Sequence, residues 1–214
     1  MYTNIMFDLD GTVTDSGRAI LGSVEYALSR LGITNQPLEK LKTFIGPSLF
    51  DSFKREYNMS DDDCEKAVSI YRDIYEKEKM YDVDIYEGIP ELLKALNEKG
   101  FTVILVTSKP LHFTEKILDK IELYKYFRHL VGPDLSDHSS DKCRLIERAI
   151  NDYSLNKHEC IMIGDTHYDI KGATDAGIDS IGVTYGYGNL DAMKEAGVTY
   201  MVKNVKEIEE ILNL

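Results

Sequence analysis

Apolar residues fall along this chain in two alternating patterns. Short continuous runs stand at 4–8 (NIMFD), 101–107 (FTVILVT), 129–131 (HLV), 160–164 (CIMIG), 180–184 (SIGVT) and 200–202 (YMV). Runs of that length bounded by turn residues predict buried strands. Between them apolar positions recur every three or four residues, the signature of amphipathic helices. Ile20, Val24, Ala27, Leu28 and Leu31 form one such face, ended at Gly32, and Leu92, Leu93 and Leu96 form another between Pro90 and Gly100. Phe113, Ile117, Leu118 and Ile121 mark a third, Leu145, Ile146, Ala149 and Ile150 a fourth, and Val205, Ile208, Ile211 and Leu212 the last. Continuous strands alternating with helices predict an α/β chain with a doubly wound, mainly parallel sheet covered on both faces.

The alternation is interrupted once. From 15 to 87 no strand is expected, and further helices are predicted after Gly46-Pro47-Ser48 and from Ser60. There Asp61, Asp62 and Asp63 favour the positive end of the helix dipole, and Ala67, Ile70, Tyr71 and Ile74 supply the apolar face. The chain therefore divides into a Rossmann-like core of residues 1–14 and 88–214 and a small inserted α-helical cap, 15–87. Ligands of an open parallel sheet collect beyond the carboxyl ends of its strands, which directs attention to 8–12, 107–109 and 164–169.

Composition narrows the partners. A chain of 214 residues with 43% hydrophobic content can bury a core without disulfides. Cys64, Cys143 and Cys160 form no paired spacing and read as reduced thiols. The net charge of −12 repels nucleic-acid polymers and anionic membranes. No apolar run reaches spanning length, and the opening MYTNIMFDLDGT lacks the cationic prefix of a secretory signal, so a cytoplasmic protein is expected. With no heptad to mark an oligomer surface, a monomer is the default expectation.

The sharpest chemistry is Asp8-Leu9-Asp10-Gly11-Thr12, directly after the first strand. Alternation turns Asp8 and Asp10 to one side, where two carboxylates repel unless a cation sits between them or one is protonated. Either state serves phosphoryl transfer with Mg²⁺. A plain turn is the competing reading, and a calcium loop is disfavoured because the ligand series does not continue. Thr107, Ser108 and Lys109 precede Pro110 and read as phosphate donors or as a helix cap. Lys142 stands at a helix start, where a cation opposes the dipole unless an anion lies in front of it, or is an ordinary surface lysine. Asp165 and Asp169 either share a face across another helix start or serve as cap and first-turn charge. All four stations fall on one predicted rim. His112, His129, His138, His158 and His167 show no zinc spacing, and the glycines of Gly186-Tyr187-Gly188 are explained by bends. Arg18 reads as a reader of a second negative group on the substrate or as an exposed helical arginine.

FDLDGT, VTSKP, Lys142 and GDTHYD resemble, in order, the four motifs of the haloacid dehalogenase superfamily of phosphohydrolases. FIGPSLFDSF, YEGIPELL, TSKP and IGVTYGYG are similar to its phosphoglycolate phosphatase branch, which also includes 5′-nucleotidases. The resemblance implies a Mg²⁺-dependent phosphomonoester hydrolase working through an aspartyl phosphate on Asp8. It implies Asp10 as acid and then base, Thr107 and Lys142 as the phosphate clamp, and backbone groups of Leu9 and Ser108 as further phosphate donors. Asp8, Asp165 and the Asp10 backbone carbonyl would hold the metal, with Asp169 in support. Lys109 and Arg18 are candidates for binding the rest of the substrate. The segment GPDLSDHSSDK departs from relatives in lacking an arginine just before Lys142. The expected substrate is a small phosphorylated metabolite: phosphoglycolate first, then a nucleoside 5′-monophosphate, for which Phe44, Phe50, Phe53 and Tyr57 offer stacking. A sugar phosphomutase and a non-catalytic binding module are the alternatives.

Overall fold

The structure is a computed structural model that describes residues 1–137 and 141–214, so His138 lies outside the described residues. The chain runs β1 (Asn4–Phe7), β2 (Thr14–Asp15), α1 (Gly17–Arg30), α2 (Leu38–Lys42), α3 (Leu49–Tyr57), α4 (Asp61–Ile74), a π-helical turn (Tyr75–Lys79) and β3 (Asp84–Ile85). It continues through α5 (Ile89–Glu98), β4 (Thr102–Val106), α6 (Leu111–Lys120), β5 (His129–Val131), α7 (Lys142–Asp152) and β6 (Cys160–Gly164). The last elements are α8 (His167–Ala176), β7 (Asp179–Val183), α9 (Leu190–Glu195), β8 (Tyr200–Val202) and α10 (Val205–Leu212).

Six strands form one parallel sheet in the order β5-β4-β1-β6-β7-β8. The chain winds outward from β1 through β4 to β5, then crosses back to lay β6 against the other side of β1. Asn4 is thus in register with both Thr102 and Cys160. This reversal of direction is where the loops after neighbouring strands part and leave a crevice. The loops after β1, β4 and β6 carry Asp8, Thr107 and Asp165 to it.

Alternate residues of the strands feed two separate cores. Ile5, Phe7, Leu105, Ile161 and Ile163 pack with Leu92 and Leu96 of α5 and with Ile208 of α10. Met6, Ile104, Val106 and Met162 face the other way, onto Leu145 and Ile146 of α7 and Ala173 and Ala176 of α8. That period of two, buried on both sides, is why the strands read as continuous apolar runs. The helices between β2 and β3 build a third core around Val24, Leu28, Phe53, Tyr71 and Tyr75, closed from the sheet domain by Phe113 and Ile117 of α6. Ser48 and Ser60 cap α3 and α4 by accepting from the Asp51 and Asp63 amides.

Differences from the periodicity reading are confined to short elements. Thr14 pairs with Ile85 and Asp15 with Asp84 in an antiparallel pair where no strand was expected. Two-residue strands have no period to detect. The pair ties the outgoing and returning chain together, so the helical segment leaves and re-enters at one point. α2 and α9 likewise span too few residues to show an amphipathic face. Among the described residues no helix is long and apolar enough to cross a membrane.

Candidate active site

The Asp8 station grows out of the central strand. The Asp8 amide continues the β1–β6 ladder by donating to Ile163 O at 2.9 Å. Beyond it the Leu9 carbonyl accepts from the amides of Val13 and Thr14, both at 2.9 Å, closing a tight loop. Leu9's side chain is sunk in the core. Gly11, at φ +85°, makes the turn, and a Cβ there would overlap the Asp165 carboxylate.

Lys142 comes from the first turn of α7 and reaches this loop across the sheet edge. Its ammonium lies 2.8 Å from Asp8 Oδ1, 2.9 Å from Asp169 Oδ1 and 3.1 Å from Val106 O. Both the lysine and its two carboxylates are almost wholly buried. Burial alone would lower the Lys142 ammonium, but Asp169 and Asp8 more than offset that and raise it. The anion in front of the helix start, required by the dipole argument, is therefore present.

Asp165 follows β6 and Asp169 lies in the first turn of α8. Thr166 is the N-cap, and Asp169 Oδ2 accepts from the Thr166 amide at 3.1 Å and hydroxyl at 2.7 Å. Asp169 thus completes a capping box while turning Oδ1 to Lys142. Asp8, Asp165 and Asp169 offer carboxylate oxygens that all lie within 4.8 Å of one another. Burial, opposed by Lys142 and reinforced by Asp169 and Asp10, pushes the Asp8 carboxyl from 3.8 up to about 7. Burial, then Asp169 and Asp8, drive Asp165 well above the usual carboxylate range. Three buried carboxylates facing one ammonium leave excess negative charge, and an all-oxygen donor set of this kind fits a hard divalent cation such as Mg²⁺. The carboxylate of Asp10 stands outside this group. It pairs instead with Lys109, whose Nζ is 2.8 Å from Asp10 Oδ1.

Thr107 follows β4, buried, with its hydroxyl oxygen accepting the Lys109 amide at 3.1 Å. Ser108 and Lys109 border a cleft that runs from Asp10 between the sheet's rim and the helical segment. Its far walls are Phe44, Phe50, Tyr71, Tyr75 and Phe113, with Arg72 reaching across to donate to Leu135 O at 2.7 Å. Of the four aromatic candidates for stacking, Phe44 and Phe50 line this cleft. Phe53 is fully buried in the helical core, and the Tyr57 hydroxyl donates to Gln36.

Arg18 is not among the cleft residues. Its guanidinium donates to Asp82 at 3.2 Å and Asp84 at 2.8 Å on the exposed surface, because α1 turns it toward the returning chain. A second correction concerns residues 186–188. Their glycines are more than bends. A Cβ on Gly188 would lie 2.8 Å from the Asp165 carbonyl carbon, and one on Gly186 would collide with the Asp165 side chain. This close approach lets the Tyr187 amide donate to Asp165 Oδ2 at 2.8 Å. The Tyr187 hydroxyl meets Asp15 and the Gly17 amide, and Tyr185 donates to Thr12 O at 3.0 Å, so the loop after β7 braces the loop that follows β1. Its position at a strand end on the same rim was the available signal. The described histidines take other roles: His112 pairs with Glu76, His129 stacks on Tyr153, His167 lies against Tyr168, and His158 is exposed.

Comparison with known proteins agrees with this arrangement. Residues 5–183 match the family model described as haloacid dehalogenase-like hydrolase. A 5′-nucleotidase of Pseudomonas aeruginosa is 36% identical over 211 residues, covering 99% of this chain and 96% of that protein. A phosphoglycolate phosphatase of Vibrio parahaemolyticus is 27% identical, covering 97% and 95%. The crystal structure of a predicted phosphatase from Clostridium acetobutylicum has a TM-score of 0.95 at 39% identity over 100% of both chains.

Proposed function

The chain belongs to the haloacid dehalogenase-like hydrolase family and is a phosphatase, and from that premise we propose that it hydrolyses small phosphomonoesters through a phosphoaspartate on Asp8. The observation that carries this reading is the buried Asp8, held at one oxygen by Lys142 at the mouth of the crevice. The other carboxylate oxygen attacks phosphorus while the bond to the leaving alcohol breaks, and Asp10 gives that alcohol a proton. Asp10 then takes a proton from the water that attacks the phosphoaspartate, which releases inorganic phosphate and restores Asp8. Lys142, Thr107 and Ser108 hold the phosphoryl oxygens, whose charge spreads in the transition state. Mg²⁺ held by Asp8, Asp165 and the Asp10 backbone carbonyl, with Asp169 in support, would supply further positive charge to those oxygens. Residues 15–87 act as a cap that keeps bulk water from the crevice.

For the substrate, the aromatic lining of the cleft favours a nucleoside 5′-monophosphate over phosphoglycolate. The carboxylate reader expected for the two-carbon acid, Arg18, is occupied elsewhere, whereas the half-buried Phe50 borders the cleft, backed by the core rings of Phe44 and Phe113. A phosphoester panel assayed with Mg²⁺ tests both levels. Folded Asp8→Asn protein should lose turnover on every ester, and the wild type should prefer a nucleotide over phosphoglycolate by more than about tenfold in kcat/KM, roughly 1.4 kcal/mol. Near-normal turnover by the variant would remove Asp8 as nucleophile, and the reverse preference would restore phosphoglycolate.

A further inference from the structure

Lys109 has a second partner besides Asp10. Its ammonium lies 2.7 Å from the hydroxyl of Tyr75, a residue of the helical segment, and 2.8 Å from Asp10 Oδ1. Tyr75 is 1% exposed and opens the π-helical turn that follows α4. Such turns are uncommon and recur where a helix must aim a side chain at a functional group. The ring is fixed from two sides, stacked on Tyr71 at 5.3 Å and met edge-on by Phe113 at 5.5 Å. The ammonium also sits 5.0 Å from the Tyr75 ring centroid. A lysine on four flexible methylenes is thereby held in one place. It engages Oδ1 of Asp10, while Oδ2 has no side-chain partner among the described residues.

We propose that Tyr75 is a positioning residue for Asp10, acting from the helical segment through Lys109. The contact fixes the direction of the Asp10 carboxylate, so that Oδ2 meets the departing oxygen within the short reach that proton transfer demands. The inference rests on Asp10 as proton donor to the leaving group, and it gives the segment over the crevice a part in the chemistry besides excluding water. Loss of the Tyr75 hydroxyl frees the Lys109 side chain, and Asp10 loses its fixed direction.

The damage should depend on the leaving group, because a basic alkoxide needs a proton far more than an acidic phenolate does. Wild type, Tyr75→Phe, Lys109→Met, their double variant and Asp10→Asn would be compared on p-nitrophenyl phosphate and a simple alkyl phosphate, after melting curves establish that each is folded. The expected result is that Tyr75→Phe lowers kcat/KM for the alkyl ester about tenfold more than for the nitrophenyl ester, a part of the roughly 10²–10⁴ that acid–base catalysis supplies. Lys109→Met should show the same selectivity, and the double variant should be no worse than Lys109→Met alone, since both act along one path. Equal losses on both esters, or losses that multiply in the double variant, would overturn the proposal if Asp10→Asn is itself selective. Should Asp10→Asn show no selectivity, the acid role of Asp10 fails and the inference falls with it. If Tyr75→Phe does not fold, Lys109→Met decides the question by the same ratio.

Discussion

Replacing Lys142 by Met tests the electrostatic account of the site most directly. Lys142 is 4% exposed, and its ammonium spans Asp8, Asp169 and the Val106 carbonyl. Met keeps most of the side-chain volume but leaves two carboxylates facing each other in a buried site. Breaking a buried ion pair from one side costs about 3–5 kcal/mol, and a chain of this size loses roughly 2–4 °C of Tm per kcal/mol, so Tm should drop by about 6–20 °C. The loss should depend on pH in a defined direction. Burial pushes the Asp8 carboxyl from 3.8 to about 7 even with Lys142 in place. Between those values the native protein keeps a proton that the unfolded chain has released, so stability falls as pH rises through the window. Without Lys142 the window extends further upward, which makes the deficit larger at about pH 8 than at about pH 5. Mg²⁺ should recover part of it at the higher pH, and kcat should fall by about 10²–10³ with the lost phosphate clamp. Melting curves in chelator and in Mg²⁺ at the two pH values measure all of this. A Tm within about 2 °C of wild type at the higher pH, or a larger deficit at the lower one, would refute the reasoning.

Three further outcomes are expected. Gly188→Ala forces a Cβ to within 2.8 Å of the Asp165 carbonyl carbon and 3.0 Å of Thr166 Cα; it should cost about 1–3 kcal/mol in a melting curve and weaken Mg²⁺ binding by calorimetry. Arg18→Ala removes only exposed ion pairs with Asp82 and Asp84, so kcat/KM for phosphoglycolate should stay within about twofold of wild type, and a tenfold loss would place Arg18 at the substrate after all. Phe50→Ala opens one wall of the cleft; it should reduce kcat/KM for a nucleoside monophosphate by about tenfold or more while sparing p-nitrophenyl phosphate.

The central strands β1, β4 and β6 were legible because each is buried on both faces. Met6 and Phe7 point into different cores, yet both had to be apolar, and a continuous run resulted. The same logic exposed the stations of the crevice, since Asp8, Thr107 and Asp165 are the residues at which apolar runs give way to polar ones. For Lys142 the misfit with the dipole of its own helix left an ordinary surface lysine open, and the family resemblance pointed it to the site. Arg18 is close to Asp8 in sequence, but the turn into α1 sends its guanidinium to the exposed side of the returning chain, against Asp82 and Asp84.

Periodicity is a property of a local backbone, and it determined the α/β class, the helical interruption and the polar ends of the strands. Which polar ends meet is a property of strand order and loop approach. Only the tertiary structure separated the two aspartates of one motif, giving Asp8 to Lys142 and Asp10 to Lys109. Only it pressed the glycines at 186 and 188 onto Asp165, and only it brought the Tyr75 hydroxyl to a lysine 34 residues away. A hydrogen bond between distant residues leaves no repeat in either segment, because each segment satisfies its own backbone with or without the partner. The contact is fixed by the packing of the layers that carry them.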